Sequence, residues 1–113
     1  MRRRVRTSEP HERSFEHAPR VLASDTVRWI RADDTNPGWF FGTDPSGSEG
    51  YFPRRWFELD TSTSTARALR DYDATELTIE AGVDVECLET ESGWVLVRTR
   101  SGEQGWIPGG CVV

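Results

Sequence analysis

The sequence predicts an all-β chain built as two small, partly open five-stranded barrels in tandem, packed against each other. Three observations predict it. Gly38 to Pro53 and Gly93 to Pro108 align without a gap at a spacing of 55 residues: Gly38/Gly93, Trp39/Trp94, Ser46/Ser101, Gly47/Gly102, Gly50/Gly105 and Pro53/Pro108 are identical, and Tyr51/Trp106 and Phe52/Ile107 are alike. A repeat of that length in a chain of 113 residues points to two copies of one unit. No segment of ten or more residues carries a helical period, whereas short runs of period two recur between turn clusters.

The elements follow in order. Arg4-Val5-Arg6-Thr7, preceded by Arg2 and Arg3, reads as a short alternating edge strand, and Ser8 to Pro19 as a long irregular loop ending near Val21. Thr26 to Trp29 alternates, with Val27 and Trp29 on one face; Asp33 to Pro37 is a turn cluster. Trp39-Phe40-Phe41 opens the next strand, Asp44-Pro45-Ser46-Gly47 turns it, and Gly50-Tyr51-Phe52-Pro53 returns. Pro53 has no N–H and ends the ladder, after which Trp56 to Leu59 forms a last short strand. The second half repeats the order: Ala68-Leu69, a turn at Asp73 to Thr75, Leu77 to Ile79, alternating Val83, Val85 and Cys87, then the hairpin Trp94 to Ile107 and Cys111 to Val113.

Ala23 to Ile30 matches Ala81 to Leu88 at an offset of 58, so the loop before Gly38 is three residues longer than its counterpart. The linear reading divides the chain into a first domain at 1–60, a Ser/Thr linker at 61–65 and a second domain at 66–113. Asp60 to Thr65, fully extended, reaches about 20 Å, against a diameter of roughly 25 Å for a domain of this size. The two halves are therefore expected to touch.

Net charge is −5 and unevenly spread: residues 1–20 carry six Arg against three Glu, residues 21–65 four Arg against seven acids, and residues 66–113 four Arg against nine acids. An acidic second half argues against a nucleic-acid partner and suits a basic peptide. No apolar run is long enough to span a bilayer, and the basic start lacks the apolar stretch of a secretory leader, so a soluble cytoplasmic protein is expected. Cys87 and Cys111 sit in apolar strand patterns, where cysteine acts as a small hydrophobe; His11 and His17 lack metal-ligand spacing. No phosphate loop, nucleophile with its base, or metal cluster is present as a motif, so neither an enzyme nor a cofactor is expected.

Five motifs carry a family resemblance. Ala68-Leu69-Arg70-Asp71-Tyr72, Glu76-Leu77-Thr78-Ile79 with Ala81-Gly82, Gly93-Trp94, Gly105-Trp106-Ile107-Pro108 and Cys111-Val112 stand in order through residues 66–113. Together they resemble the Src homology 3 (SH3) domain and its bacterial tandem relatives, with the first half as a divergent copy. The resemblance implies two SH3-like barrels, each with a groove of aromatic side chains and one proline that packs a polyproline II peptide, beside acids that select a basic residue. A peptide already extended loses little entropy on docking, and broad aromatic faces bury its prolines.

Carried over by position, the second half supplies Tyr72, Trp94, Trp106 and Pro108 to the groove and Glu76 as the acid, but Arg70 and Cys111 replace two aromatic walls. The first half supplies Trp39, Tyr51, Pro53 and Trp56. It also holds nine of the twelve aromatic residues, more than one small core needs. Trp29, Phe52 and Phe57 are expected in that core, with Phe40 or Phe41 sealing the face between the halves. The expectation is an adaptor without catalytic activity that binds a basic or Pro-rich segment of a partner protein, as monomer or homodimer. The alternative is an assembly protein whose repeats pack on each other or on a second copy and leave no free peptide site.

Overall fold

The computed structural model describes residues 3–113, and Arg2 of the basic start lies outside them. The described residues form an all-β fold with strands β1 (Arg3–Arg6), β2 (Arg20–Val21), β3 (Thr26–Ala32), β4 (Trp39–Thr43), β5 (Glu49–Pro53), β6 (Phe57–Asp60), β7 (Thr65–Ala68), β8 (Tyr72–Asp73), β9 (Asp84–Glu91), β10 (Trp94–Thr99) and β11 (Gln104–Pro108). Short 3₁₀ turns at Arg54–Trp56 and Gly109–Cys111 follow β5 and β11. Among the described residues no helix is long and apolar enough to cross a membrane. The strands order into a five-stranded sheet β5-β4-β3-β7-β6, a four-stranded sheet β1-β9-β10-β11 and the pair β2-β8. None of these three sheets closes into a barrel, so the all-β class expected from the sequence is present while the two partly open five-stranded barrels do not appear as such.

The chain groups into two compact units, and they do not follow the linear boundaries. One is continuous, His17–Ala74; the other is split, joining the stretch up to Glu16 to Thr75–Val113. Residues 66–74, placed with the second domain by the motif order, lie with the first half. Residues up to 16 lie with the second. The Ser/Thr stretch is not an interdomain connection: β6 and β7 pair from Phe57↔Ala68 to Asp60↔Thr65, so residues 61–64 are the turn of a hairpin. Asp60 holds that turn by accepting from the Ser62 N–H at 3.0 Å and hydroxyl at 2.6 Å. Turn-forming Ser and Thr look the same in sequence whether the chain goes on to a new domain or doubles back.

The repeat survives as one backbone frame used twice. Trp39↔Pro53, Phe40↔Phe52 and Phe41↔Tyr51 in the continuous unit match Trp94↔Pro108, Val95↔Ile107 and Leu96↔Trp106 in the split one. Even the register shift recurs, between Trp29 and Arg31 against β4 and, across from β9, between Leu96 and Val97. Gly50 and Gly105 have a shared cause. A Cβ on Gly50 would stand 2.7 Å from Pro19 Cδ, and one on Gly105 2.8 Å from the Leu77 nitrogen, because the preceding arm of each unit passes directly over that strand.

The cores filling this frame differ. In the continuous unit Phe40 lies parallel to Phe52 with centroids 5.2 Å apart, and Phe57 meets both edge-on at 5.5 and 5.4 Å. Phe40 is thus fully buried within this core. Trp29, expected inside, is half-exposed; it stacks on Phe40 at 4.5 Å, and the Arg54 guanidinium lies 5.7 Å from its ring. The split unit packs Leu77, Ile79, Val85, Val95, Val97, Ile107 and Cys111, with Val5 and Val112 against them. Its edge strand β1 pairs with β9 from Arg3↔Cys87 to Arg6↔Asp84.

Candidate functional site

The structure gathers the candidate residues into two sets. Trp39, Tyr51, Pro53, Trp56 and Tyr72 all belong to the continuous unit; Glu76, Trp94, Trp106 and Pro108 belong to the split one. Tyr72, assigned by the motif order to the second groove, lies in the continuous unit with Trp39, Tyr51, Pro53 and Trp56.

In the continuous unit, Pro53 ends β5 opposite Trp39 and leads into the 3₁₀ turn that carries Trp56. β8 brings Tyr72 to Trp56, perpendicular to it at 5.4 Å, and the Tyr72 hydroxyl donates to the Tyr51 carbonyl at 2.9 Å. Tyr51 itself is half-buried and meets Phe41 edge-on at 5.2 Å. Arg70 lies two residues before Tyr72, and its guanidinium stands 3.7 Å above the Trp56 ring. Such a cation–π contact is worth roughly 0.5–2 kcal/mol, depending on its solvation. The arginine standing where the resemblance expects a groove tyrosine therefore covers an indole of its own unit. Trp39 and Trp56 retain only 6% and 8% of their surface exposed, and Pro53 is fully buried. Nearby, Leu22 and Leu69 are well exposed.

In the split unit Trp94 faces Pro108 across β10 and β11, as Trp39 faces Pro53, and both are half-buried. Trp106 is buried and bridges the Glu76 backbone, with the Leu77 N–H donating to its carbonyl at 3.1 Å. Glu76 does not present a free carboxylate. Its Oε1 is 2.9 Å from His11 Nε2 and accepts from the Ser14 N–H at 3.1 Å and hydroxyl at 2.9 Å. His11 also meets Trp94 edge-on at 5.7 Å.

His11 is the residue that sequence reasoning missed here. It faces Ile79 as Tyr72 faces Val21, so it holds the tyrosine's place in the split unit. The signal was faint: the offset of 58 pairs Val21 with Ile79, but nothing in the sequence says which distant segment lies beside each.

Cys111 occupies the place of Trp56, in the 3₁₀ turn after Pro108. Burial, and then the Glu9 carboxylate, push its thiol pKa up, so it stays a protonated small hydrophobe at neutral pH. Cys87 is half-buried on β9, and both cysteines are free.

Each set pairs a tryptophan with a strand-ending proline, and in the split unit the Glu76 carboxylate is already engaged by neighbouring donors. Compared with protein-family models, curated proteins and solved structures, the chain finds no match.

Proposed function

We propose that the chain is a non-catalytic adaptor made of two SH3-like modules, and that the continuous unit binds a Pro-rich segment of a partner protein. The observation that carries the reading is the convergence of Trp39, Pro53, Trp56 and Tyr72 in one unit, the aromatic side chains and single proline of the kind that the resemblance assigns to a polyproline II groove. Arg70 sets the terms of binding. A ligand reaches the Trp56 face by displacing the guanidinium from it, and a basic ligand residue has to find a carboxylate elsewhere.

Titration with Pro-rich peptides, with and without flanking Arg, followed by tryptophan fluorescence, tests this. Saturable binding is expected, weakened at least tenfold by Trp56→Ala and strengthened by Arg70→Ala in variants that keep the wild-type circular dichroism. No response from any such peptide in both the wild type and Arg70→Ala sinks it.

One observation favours the assembly reading instead: Trp39 and Trp56 are almost fully buried. That reading expects no peptide response, and both indoles shielded from fluorescence quenchers.

A further inference from the structure

In each unit one antiparallel strand is supplied from outside the three-stranded meander, and the two suppliers are interchangeable as backbone. In the continuous unit Thr65, Ala66 and Arg67 of β7 face Arg28, Val27 and Thr26. In the split unit Arg4, Val5 and Arg6 of β1 face Glu86, Val85 and Asp84. The hydrogen bonds beyond these strands correspond one by one. The Ala68 N–H donates to the Asp25 carbonyl as Thr7 does to Val83, and Leu69 donates to Trp56 as Ser8 does to Cys111. Ser24 donates to Ala68 as Gly82 does to Thr7. A constant offset of 61 residues, Arg6 to Arg67, relates the two arms.

Side chains decide which arm goes where. Laid on β3 in this register, Arg4 would face Arg28, and like charges directly opposite each other destabilise a sheet. On β9 the same arm faces Asp84 and Glu86, and Arg6 Nε reaches Asp84 Oδ1 at 3.1 Å. The charges select the crossed pairing over the sequential one.

The arms also differ in how they are tethered. β7 is fastened to β6 by the turn at residues 61–64, whereas residues 17–74, a folded unit of their own, lie in sequence between the arm that carries β1 and its body. Every contact the β1 arm makes with its body can be remade unchanged on the same body of another copy, which is the condition for exchange between protomers. Such an exchange conserves the contacts, so concentration sets its extent.

We propose that residues 3–14 are a charge-addressed exchange arm whose partner is a second copy of this chain. The acidic strand β9 of one copy takes the basic arm of the other, and His11 reaches Glu76 and Trp94 in trans. This inference is independent of the peptide-binding reading.

A matched pair of charge reversals tests it. Asp84→Arg in one preparation and Arg6→Asp in another each mismatch the arm in cis and in self-exchange, while mixing the two restores both arm–body pairs. By light scattering each variant alone is expected to be monomeric, and the mixture to give a 1:1 heterodimer. A mixture no more dimeric than its parts overturns the proposal.

A second measurement does not rest on charge. Arg3→Cys stands directly opposite the native Cys87, so oxidation after mixing 14N- and 15N-labelled chains records whose arm lies on β9. Mixed-isotope 3–87 disulfides that increase with protein concentration support exchange. Disulfides confined within single chains at every concentration refute it.

Discussion

The continuous and split units are one backbone built with two chemistries. Where the first stacks Phe40, Phe52 and Phe57, the second places Val95, Ile107 and Val112 at the same register positions. Where the first has Tyr72 edge-on to Trp56, the second has His11 bound to Glu76. The difference teaches that strand register and turn geometry tolerate a complete change of core volume. They depend on backbone pairing and on a few glycines, while recognition depends on the side chains that such a frame leaves free to vary.

The comparison breaks first at its cores. Phe40→Ala removes a fully buried ring and should cost about 3–5 kcal/mol, whereas Val95→Ala at the matching position should cost about 2 kcal/mol. Urea unfolding of the full chain, read alongside amide exchange in each unit, measures both. Equal losses would show that the two cores are not separately packed.

The hairpin turns give the next largest difference. Asp44 accepts hydrogen bonds from the Arg20 N–H at 3.0 Å, the Ser46 N–H at 2.9 Å, the Ser46 hydroxyl at 2.7 Å and the Ser48 N–H at 2.9 Å. Its counterpart Thr99 accepts from the Glu103 N–H at 3.1 Å. Asp44→Ala should cost about 1–3 kcal/mol, and Thr99→Ala less. Burial pushes the Asp44 pKa up, but the four hydrogen bonds outweigh it and hold the carboxyl below its ordinary value. A carboxyl with a depressed folded pKa contributes stability above its unfolded value, about 3.9, and loses it as the pH falls through the folded value. The gap in urea midpoint between wild type and Asp44→Ala should therefore be full at neutral pH and shrink on acidification below about pH 4. A gap independent of pH would remove the carboxylate from the explanation.

The smallest effect sits at a turn where the units differ by one Cβ. Ser24 and Gly82 hold matching left-handed positions, at φ 79° and 81°. Ser24→Gly should stabilise the chain by about 0.5–1 kcal/mol and Gly82→Ser destabilise it by a similar amount, both read as thermal midpoints. Opposite signs are required if the two turns are equivalent.

Much of the fold was legible in the sequence. The matched glycines, tryptophans and prolines at a spacing of 55 gave both hairpins with their register, because close backbone approach and tight turns demand particular residues wherever they occur. The candidate residues were legible by type and not by grouping. Tyr72 reads with Trp94 because it ends the Ala68 to Tyr72 motif that opens the resemblance in the second half, and His11 reads as part of a loop.

The sequence by itself determined the all-β class, the duplicated hairpin and the aromatic richness of the first half, since period, turn chemistry and composition are local properties. Tertiary structure alone decided which arm completes which body, that residues 61–64 turn back on themselves, and that Trp56 lies under Arg70. The physical reason is that the two arms pair with their bodies in matching backbone registers, so backbone pairing alone does not distinguish them. The choice between them rests on charges such as Arg6 and Asp84, which stand 78 residues apart in sequence and meet only across a sheet.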